Sequence, residues 1–322
     1  MSRFLLSLMI LTASIVPISF AEVMNEVHFL IPAGPGGGWD GTARGIGEGL
    51  IKSGMVTNVS YENLSGGGGG RAIAKLIETA DRQQSTLLVN SSPMVIRSLQ
   101  QIFPHSFRDL VPIASVISDY TCFVVRKNSP YKTWSDVLED FRSNPGNVTV
   151  AGGSVRGSTD HILFAKAIEM ASGNPLDVVY IPYDGGGKAM AGILTGESAI
   201  LSTGLSEALA MARAGEIRVL AVTSQNRLPE YPSFPTLTEQ GYPLVFANWR
   251  GFFAAKGIQD RQYSLMKNTL REFVNTKEFD EIRIRNGWFK HYLEGPDFQA
   301  FLVKQEAEIG KLMHDLGFLR PL

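Results

Sequence analysis

The chain is poor in the residues that build disulfides, metal sites and nucleic-acid surfaces. A single cysteine, Cys122, stands among 322 residues, so no intrachain disulfide can form and a cysteine-rich zinc site is excluded. The five histidines show no H-E-x-x-H or similar pairing, which argues against a metal enzyme. Neither sign of charge is in excess, with 30 Lys+Arg against 31 Asp+Glu. A nucleic-acid binder would usually show a basic stripe. Beyond the first 21 residues no stretch is long and apolar enough to cross a bilayer. The Lys-Ser/Thr pair of a phosphate-binding P-loop is missing at Arg71 and Lys188, which follow two of the glycine runs. G-x-S-x-G is absent too, because Gly152-Gly153-Ser154-Val155-Arg156 lacks its last glycine. What the chain has in quantity is glycine, 33 residues, much of it in runs, on a background 44% hydrophobic that can bury a real core. The length suits two lobes better than one domain.

Residues 1–21 read as an address. Arg3 is the only charge, an apolar stretch follows from Phe4 to Ile18, and Ser19-Phe20-Ala21 is a small-x-small cleavage pattern. A transmembrane anchor is the competing reading, but the stretch is short for a span and broken by Pro17. No cysteine lies at the cleavage point to carry a lipid. The mature chain is expected in the periplasm, where nucleotide and nicotinamide cofactors are scarce, and no cofactor is expected. Cys122, in the strand-like TCFVV, reads as a buried inert thiol.

One unit recurs: a β-rich run, a Gly/Ser-rich turn, then a helix-like segment. The strand-like runs are 27–31, 58–61, 86–89, 148–150, 178–181 and 199–201, and each runs into such a turn. This alternation predicts an α/β fold with mostly parallel sheets flanked by helices. Ligands of such sheets sit beyond the carboxyl ends of the strands, where these glycines lie. After residue 150, Ile162, Leu163, Ala165, Ile168 and Ala171 share one broad helix face, with Lys166 and Glu169 outside it. Three units precede the apolar strand TCFVVRK and three follow it. A Pro-rich connector at 227–235 and the strand WRGFFA at 249–254 then lead back. Two crossing strands predict a clamshell, with lobe 1 formed by 22–123 plus 251–322 and lobe 2 by 124–250. Helices are expected over 263–275 and 296–316.

A strand–glycine–helix junction offers unpaired main-chain N–H groups and the positive end of a helix dipole, so it suits an anion. Two junctions facing across a cleft would suit an anion with more than one carboxylate, with little help from Lys or Arg. The competing reading is that glycine runs are only tight turns. Gly36 to Gly41 also spells G-x-G-x-x-G, with Glu62 about 20 residues on. Export away from the cofactor and the bulky Trp39 inside the turn speak against a dinucleotide site. Ser154 and His161 could be cast as a nucleophile and base, although His161 more naturally packs in a first helical turn. Asp40 is expected to accept main-chain N–H bonds or a ligand hydroxyl, and Arg44 to pair with it. Arg156, between Gly153 and Gly157, could clamp a carboxylate or simply be a solvated loop charge.

PAGPGGGWDGTAR, ENLSGGGGG, AGGSVRGSTDH, YIPYDGGGKAMAGILTGE and RLPEYPSFPTLTEQGYP follow one another behind the export segment. In this order they resemble the Bug-type receptors of the tripartite tricarboxylate transporter family. The resemblance implies a two-lobed Venus-flytrap receptor without catalysis. It would hand a small carboxylate to one large and one small integral-membrane permease subunit, and act as a monomer. It places ligand-binding residues in the loop 32–40, as Ala33, Gly34, Gly36, Gly37, Gly38, Trp39 and Asp40. In the facing loop 152–161 it places Ser154, Arg156, Ser158, Thr159 and His161, with Tyr183 and Gly185 beside them. Asn90, Ser91 and Thr203 stand at other strand ends. Trp39 before the Asp departs from the commoner Bug pattern and looks more like the tricarboxylate-binding branch, which points to a citrate-like di- or tricarboxylate. A ligand-presenting sensor for a membrane kinase would use the same clamshell, and an exported Ser/His hydrolase is the catalytic rival.

Overall fold

The computed structural model describes residues 23–319, and the expected export segment lies outside them. The first sheet takes β1 (Met24–Ile31), β2 (Val56–Asn63) and β3 (Thr86–Ser91), joined through α1 (Gly38–Lys52) and α2 (Gly70–Glu78), with α3 (Ser92–Leu99) following β3. The pairs β1–β2 and β1–β3 are parallel, as βαβ crossovers require. The second sheet repeats the scheme. It uses β5 (Thr149–Gly152), β6 (Val179–Pro182) and β7 (Ile200–Gly204), followed by α5 (Thr159–Met170), α6 (Gly186–Thr195) and α7 (Leu205–Arg213). Here β5 pairs parallel with both β6 and β7.

One long strand joins the sheets. β4 (Leu110–Arg126) is 17 residues, far longer than the TCFVVRK run legible beforehand. Residues 110–120 pair antiparallel with β9 (Ala247–Ala255) in the first sheet. From Thr121 on, β4 pairs with β7 and with β8 (Ile217–Val222) in the second. The return path behaves alike: the Phe246 N–H still bonds Thr223 of the second sheet, while Ala247 pairs with Tyr120 in the first. The parallel pairs thus belong to the βαβ strands, and the strands that cross run antiparallel. The first lobe is finished by α8 (Asp260–Phe273), α9 (Lys277–Asn286), β10 (Phe289–Glu294) and α10 (Gly295–Asp315), and the second by α4 (Trp134–Ser143).

Both faces of each sheet are covered, so successive side chains enter different cores. Phe29 and Ile31 pack under α1, α8 and α9, whereas Leu30 packs with α2, α3 and α10. Cys122 and Val124 face α6 and α7, whereas Phe123 and Val125 face α4 and α5. This explains why the strands read as continuous apolar runs. It also places Cys122 fully inside, where burial pushes its thiol far above the ordinary range. No helix among the described residues is long and apolar enough to cross a membrane.

Candidate ligand site

Six helices turn their N-termini towards one crevice. Gly37 and Gly38 of α1, Ser91 before α3, Thr159 of α5, Gly185 and Gly186 of α6 and Gly204 before α7 line one chamber of about 90 Å³. Gly69 before α2 and Ser158 before α5 line an adjoining chamber of about 340 Å³. None of these six helices has a side-chain N-cap hydrogen bond. Of the helices that do not line the crevice, α4 and α9 are capped by Thr133 and Thr276, whereas α8 and α10 also lack a side-chain cap. Side chains from elsewhere already take some first-turn N–H groups: Glu207 faces the Gly38 amide of α1, Asn248 Oδ1 accepts the Ser92 N–H of α3 at 3.3 Å, and Asp119 Oδ1 accepts the Ser206 N–H of α7 at 3.2 Å. The positive dipole ends of all six still point at the crevice.

The two lobes meet here glycine to glycine. A Cβ placed on Gly37 would lie 3.5 Å from the Gly186 nitrogen and 3.7 Å from the Gly185 Cα. Within the second lobe the fit is tighter still, since a Cβ on Gly153 would fall 2.4 Å from the Gly186 nitrogen. Gly185 itself holds φ at 99°, a region closed to most side chains. The loop 32–40 is fastened from within. The Asp40 carboxylate accepts the Gly36 N–H at 3.0 Å, Asn63 Nδ2 at 2.9 Å and Arg44 Nε at 2.9 Å. Asp40 therefore orders the loop, and Arg44 pairs with it.

The two chambers differ in charge. At the floor of the smaller one Arg250, 4% exposed, bonds Asp119 at 3.0 Å and lies 3.8 Å from Glu207. Glu207 also accepts the Thr203 hydroxyl at 2.8 Å and faces the Gly38 amide. Asp160 accepts the Ser154 hydroxyl at 2.7 Å. Enclosure by protein pushes the Asp160 carboxyl up to about 7, and burial raises Asp119 and Glu207 as well, against the pull of Arg250. The larger chamber is lined by Arg97 together with glycines 66–69, Trp39, Ser158, Tyr183 and Asp184. Six residues line both chambers: Ala33, Trp39, Pro93, Gly153, Ser154 and Gly185.

Of the residues singled out from sequence, Ala33, Gly37, Gly38, Trp39, Ser91, Ser154, Ser158, Thr159, Tyr183 and Gly185 line the crevice. Trp39 walls it with its Nε1 held on the Ser91 hydroxyl at 2.8 Å. The remainder do not line either chamber. Gly34 and Gly36 shape the loop. Asn90 accepts the Ser91 N–H at 2.9 Å, and Thr203 supports Glu207. The Arg156 guanidinium does not enter either chamber, because it donates to the Tyr180 carbonyl at 2.8 Å. His161 is buried; its Nδ1 accepts the Gly157 N–H at 3.0 Å, and its ring stacks on Tyr180. Burial lowers its pKa to about 4, so it stays neutral. With Ser154 turned to Asp160 and His161 to Gly157, the Ser–His pair of a hydrolase is not assembled.

Sequence reasoning missed Arg97, Asp119, Asp160, Glu207, Asn248 and Arg250. A signal existed for Arg250, a charge inside the apolar strand-like run WRGFFA.

Two lobes sharing crossing strands, with six helix N-termini aimed at the seam, define a binding protein of the periplasmic type. Residues 42–318 match the tripartite tricarboxylate transporter family receptor, TctC. The chain belongs to that family, whose members are periplasmic binding receptors rather than enzymes. It is 29% identical over 288 residues to the UPF0065 protein of the tcbD–tcbE intergenic region of Pseudomonas sp. strain P51, covering 88% of this chain and 84% of that one. It is 27% identical over 257 residues to protein BugT of Bordetella pertussis, covering 79% and 77%. Among solved structures, the periplasmic binding protein BugD superposes with TM-score 0.81 at 22% identity, over 91% of this chain and 98% of that one. MatC of Rhodopseudomonas palustris, solved with malate, gives 0.77 at 19%, over 89% and 98%. A further R. palustris protein, solved with adipate, gives 0.82 at 21%, over 91% and 97%.

Proposed function

We propose that the chain is an exported receptor that captures a small di- or tricarboxylate between its lobes and delivers it to the family's two-subunit membrane permease. The observation that carries this reading is the convergence of six helix N-termini, drawn from both lobes, on one crevice. Main-chain N–H groups drawn from both lobes can grip a carboxylate only when the lobes close, and closure sheds the water that would weaken those bonds. Malate and adipate in two fold neighbours are consistent with a ligand of this size and charge. Within the class, a compact dicarboxylate suits this crevice better than citrate. Two carboxylates, Asp160 and Glu207, already line the smaller chamber, with Arg250 there paired to Asp119 behind it, and a tricarboxylate would bring more charge of the same sign.

The lobes in this reading divide a few residues before the 123/124 and 250/251 boundaries expected from the sequence, because Thr121–Phe123 pair with the second sheet and Ala247–Arg250 with the first. The bending points lie close to Tyr120–Thr121 and Phe246–Ala247, where strand pairing changes sheet. The test is calorimetry and thermal unfolding of the mature protein against di- and tricarboxylates, amino acids and aromatic acids. The expected result is one carboxylate bound per chain and a melting temperature that climbs with ligand. At a hundredfold excess over Kd the stabilisation is about 2.7 kcal/mol. A screen in which no carboxylate binds overturns the reading.

A further inference from the structure

Arg97 is a buried cation without an anion. The residue is 1% exposed. Its Nη1 donates to the Gln100 side-chain carbonyl at 2.6 Å, and its Nη2 to the Val155 and Arg156 main-chain carbonyls at 3.3 and 3.5 Å. All three acceptors are neutral. Its Nε–H has no partner, and among the described residues no carboxylate forms an ion pair with it. A charge taken out of water is tolerated when an opposite charge comes with it, and here the chain supplies none.

Its surroundings point the same way. Arg97 lines the larger chamber, and the Gly68 backbone packs against its stem, where a Cβ would fall 3.0 Å from Cδ. On the other wall, Ser158 stands at the N-cap of α5, the position from which a serine usually accepts a helix N–H. It makes no such bond, and its buried hydroxyl has no partner. Arg97, with its unpaired Nε–H, and Ser158, with its unpaired hydroxyl, therefore both line one cavity, which shares six lining residues with the chamber of the α1 and α6 N-termini. Arg250, the other guanidinium of the crevice, already bonds Asp119.

We infer that Arg97 and Ser158 form a carboxylate subsite: one carboxylate of the ligand rests on the Arg97 guanidinium, and the rest of the molecule extends towards the glycine seam. This rests on the proposed receptor function and makes Arg97 the residue that distinguishes a diacid from a monoacid. The competing role is a latch, since the Val155 and Arg156 carbonyls belong to the opposite lobe. A latch would support closure on every ligand equally.

The test pairs each straight-chain dicarboxylate from succinate to adipate with its monomethyl ester, measured by calorimetry on wild type and on Arg97→Gln. Circular dichroism and melting temperature certify that the variant is folded. The wild type is expected to prefer the best diacid over its ester by tenfold or more. Arg97→Gln should lose that preference, with diacid affinity down 10- to 100-fold and ester affinity within threefold. Equal losses for diacid and ester, or no loss, overturn the subsite. Sulfate is the probe that does not depend on the carboxylate reading. It should raise the melting temperature of wild type more than that of Arg97→Gln. If no diacid binds but this sulfate difference is found, the anion subsite stands and the carboxylate assignment falls. Identical sulfate responses overturn the subsite.

Discussion

Gly37→Val separates ligand capture from folding. The backbone at Gly37 has φ −88° and ψ 173°, a conformation any residue adopts, so valine brings no dihedral strain. The obstacle lies across the seam. A Cβ at Gly37 would sit 3.5 Å from the Gly186 nitrogen, an ordinary contact, so Gly37→Ala is accommodated. Each valine methyl reaches ~1.5 Å further, and at least one must overlap the 185–187 turn while the lobes are closed. Opening the lobes relieves the overlap at little cost to either core, because Gly37 contributes nothing to them. The fold should lose no more than about 1 kcal/mol, mainly from a poorer N-cap residue. In the proposed function, however, the closed state is the one that binds. Hinged lobes kept apart by even one such overlap should lose roughly 10- to 100-fold in affinity, or about 1.4–2.7 kcal/mol. Denaturant unfolding and calorimetry on the same preparations give the two numbers, with Gly37→Ala as the control. Equal loss of stability and affinity in the valine variant, or wild-type affinity, would refute the reasoning.

Other predictions concern charges and the thiol. Enclosure moves Asp160 from 3.8 to about 7, so the folded state holds an extra proton across that interval and this group's contribution to stability falls as pH rises through it. Asp160→Asn should therefore gain on wild type between pH 4 and 7, by roughly 2–4 kcal/mol at the upper end, and a pH-independent difference would contradict the assignment. His161, lowered to about 4 by burial, works in the opposite sense, contributing stability above 6.5 that is lost as pH falls towards 4. Asp119→Ala leaves the buried Arg250 with only the more distant Glu207 and should cost roughly 3 kcal/mol in urea unfolding; a loss under 1 kcal/mol would show the pair to be dispensable. Cys122, fully buried, should resist a thiol reagent in the native protein and react once per chain after unfolding, and rapid native labelling would place it elsewhere.

Most of the fold could be read before any coordinates, because strand, glycine turn and helix follow one another with local signals at each step. The helices expected at 263–275 and 296–316 are found at Asp260–Phe273 and Gly295–Asp315. The extent of β4 was hidden, since residues 110–119 mix Pro, Ser and Asp and acquire strand geometry only by pairing with β9 and β10. The glycine half of the site was legible for the same local reason. Its charged half was not. Arg97 occupies an amphipathic helix, where a cation ordinarily faces water, and only the fit of α3 against glycines 66–69 and the opposite lobe buries it. Glu207 looks like a first-turn helix acid until the approach of α1 and α6 encloses it. Arg156 misled in the other direction: its loop is at the crevice, but its side chain turns back to a strand end.

The proposed function requires main-chain amides of both lobes to hold the ligand. A crystal structure of the mature protein with its best-binding dicarboxylate tests this most directly. The expected map has a carboxylate within hydrogen-bond reach of N–H groups from the loops 32–40 or 66–70 on one side and 153–159 or 185–187 on the other. A ligand bound outside the crevice, or held through side chains of a single lobe, would contradict it.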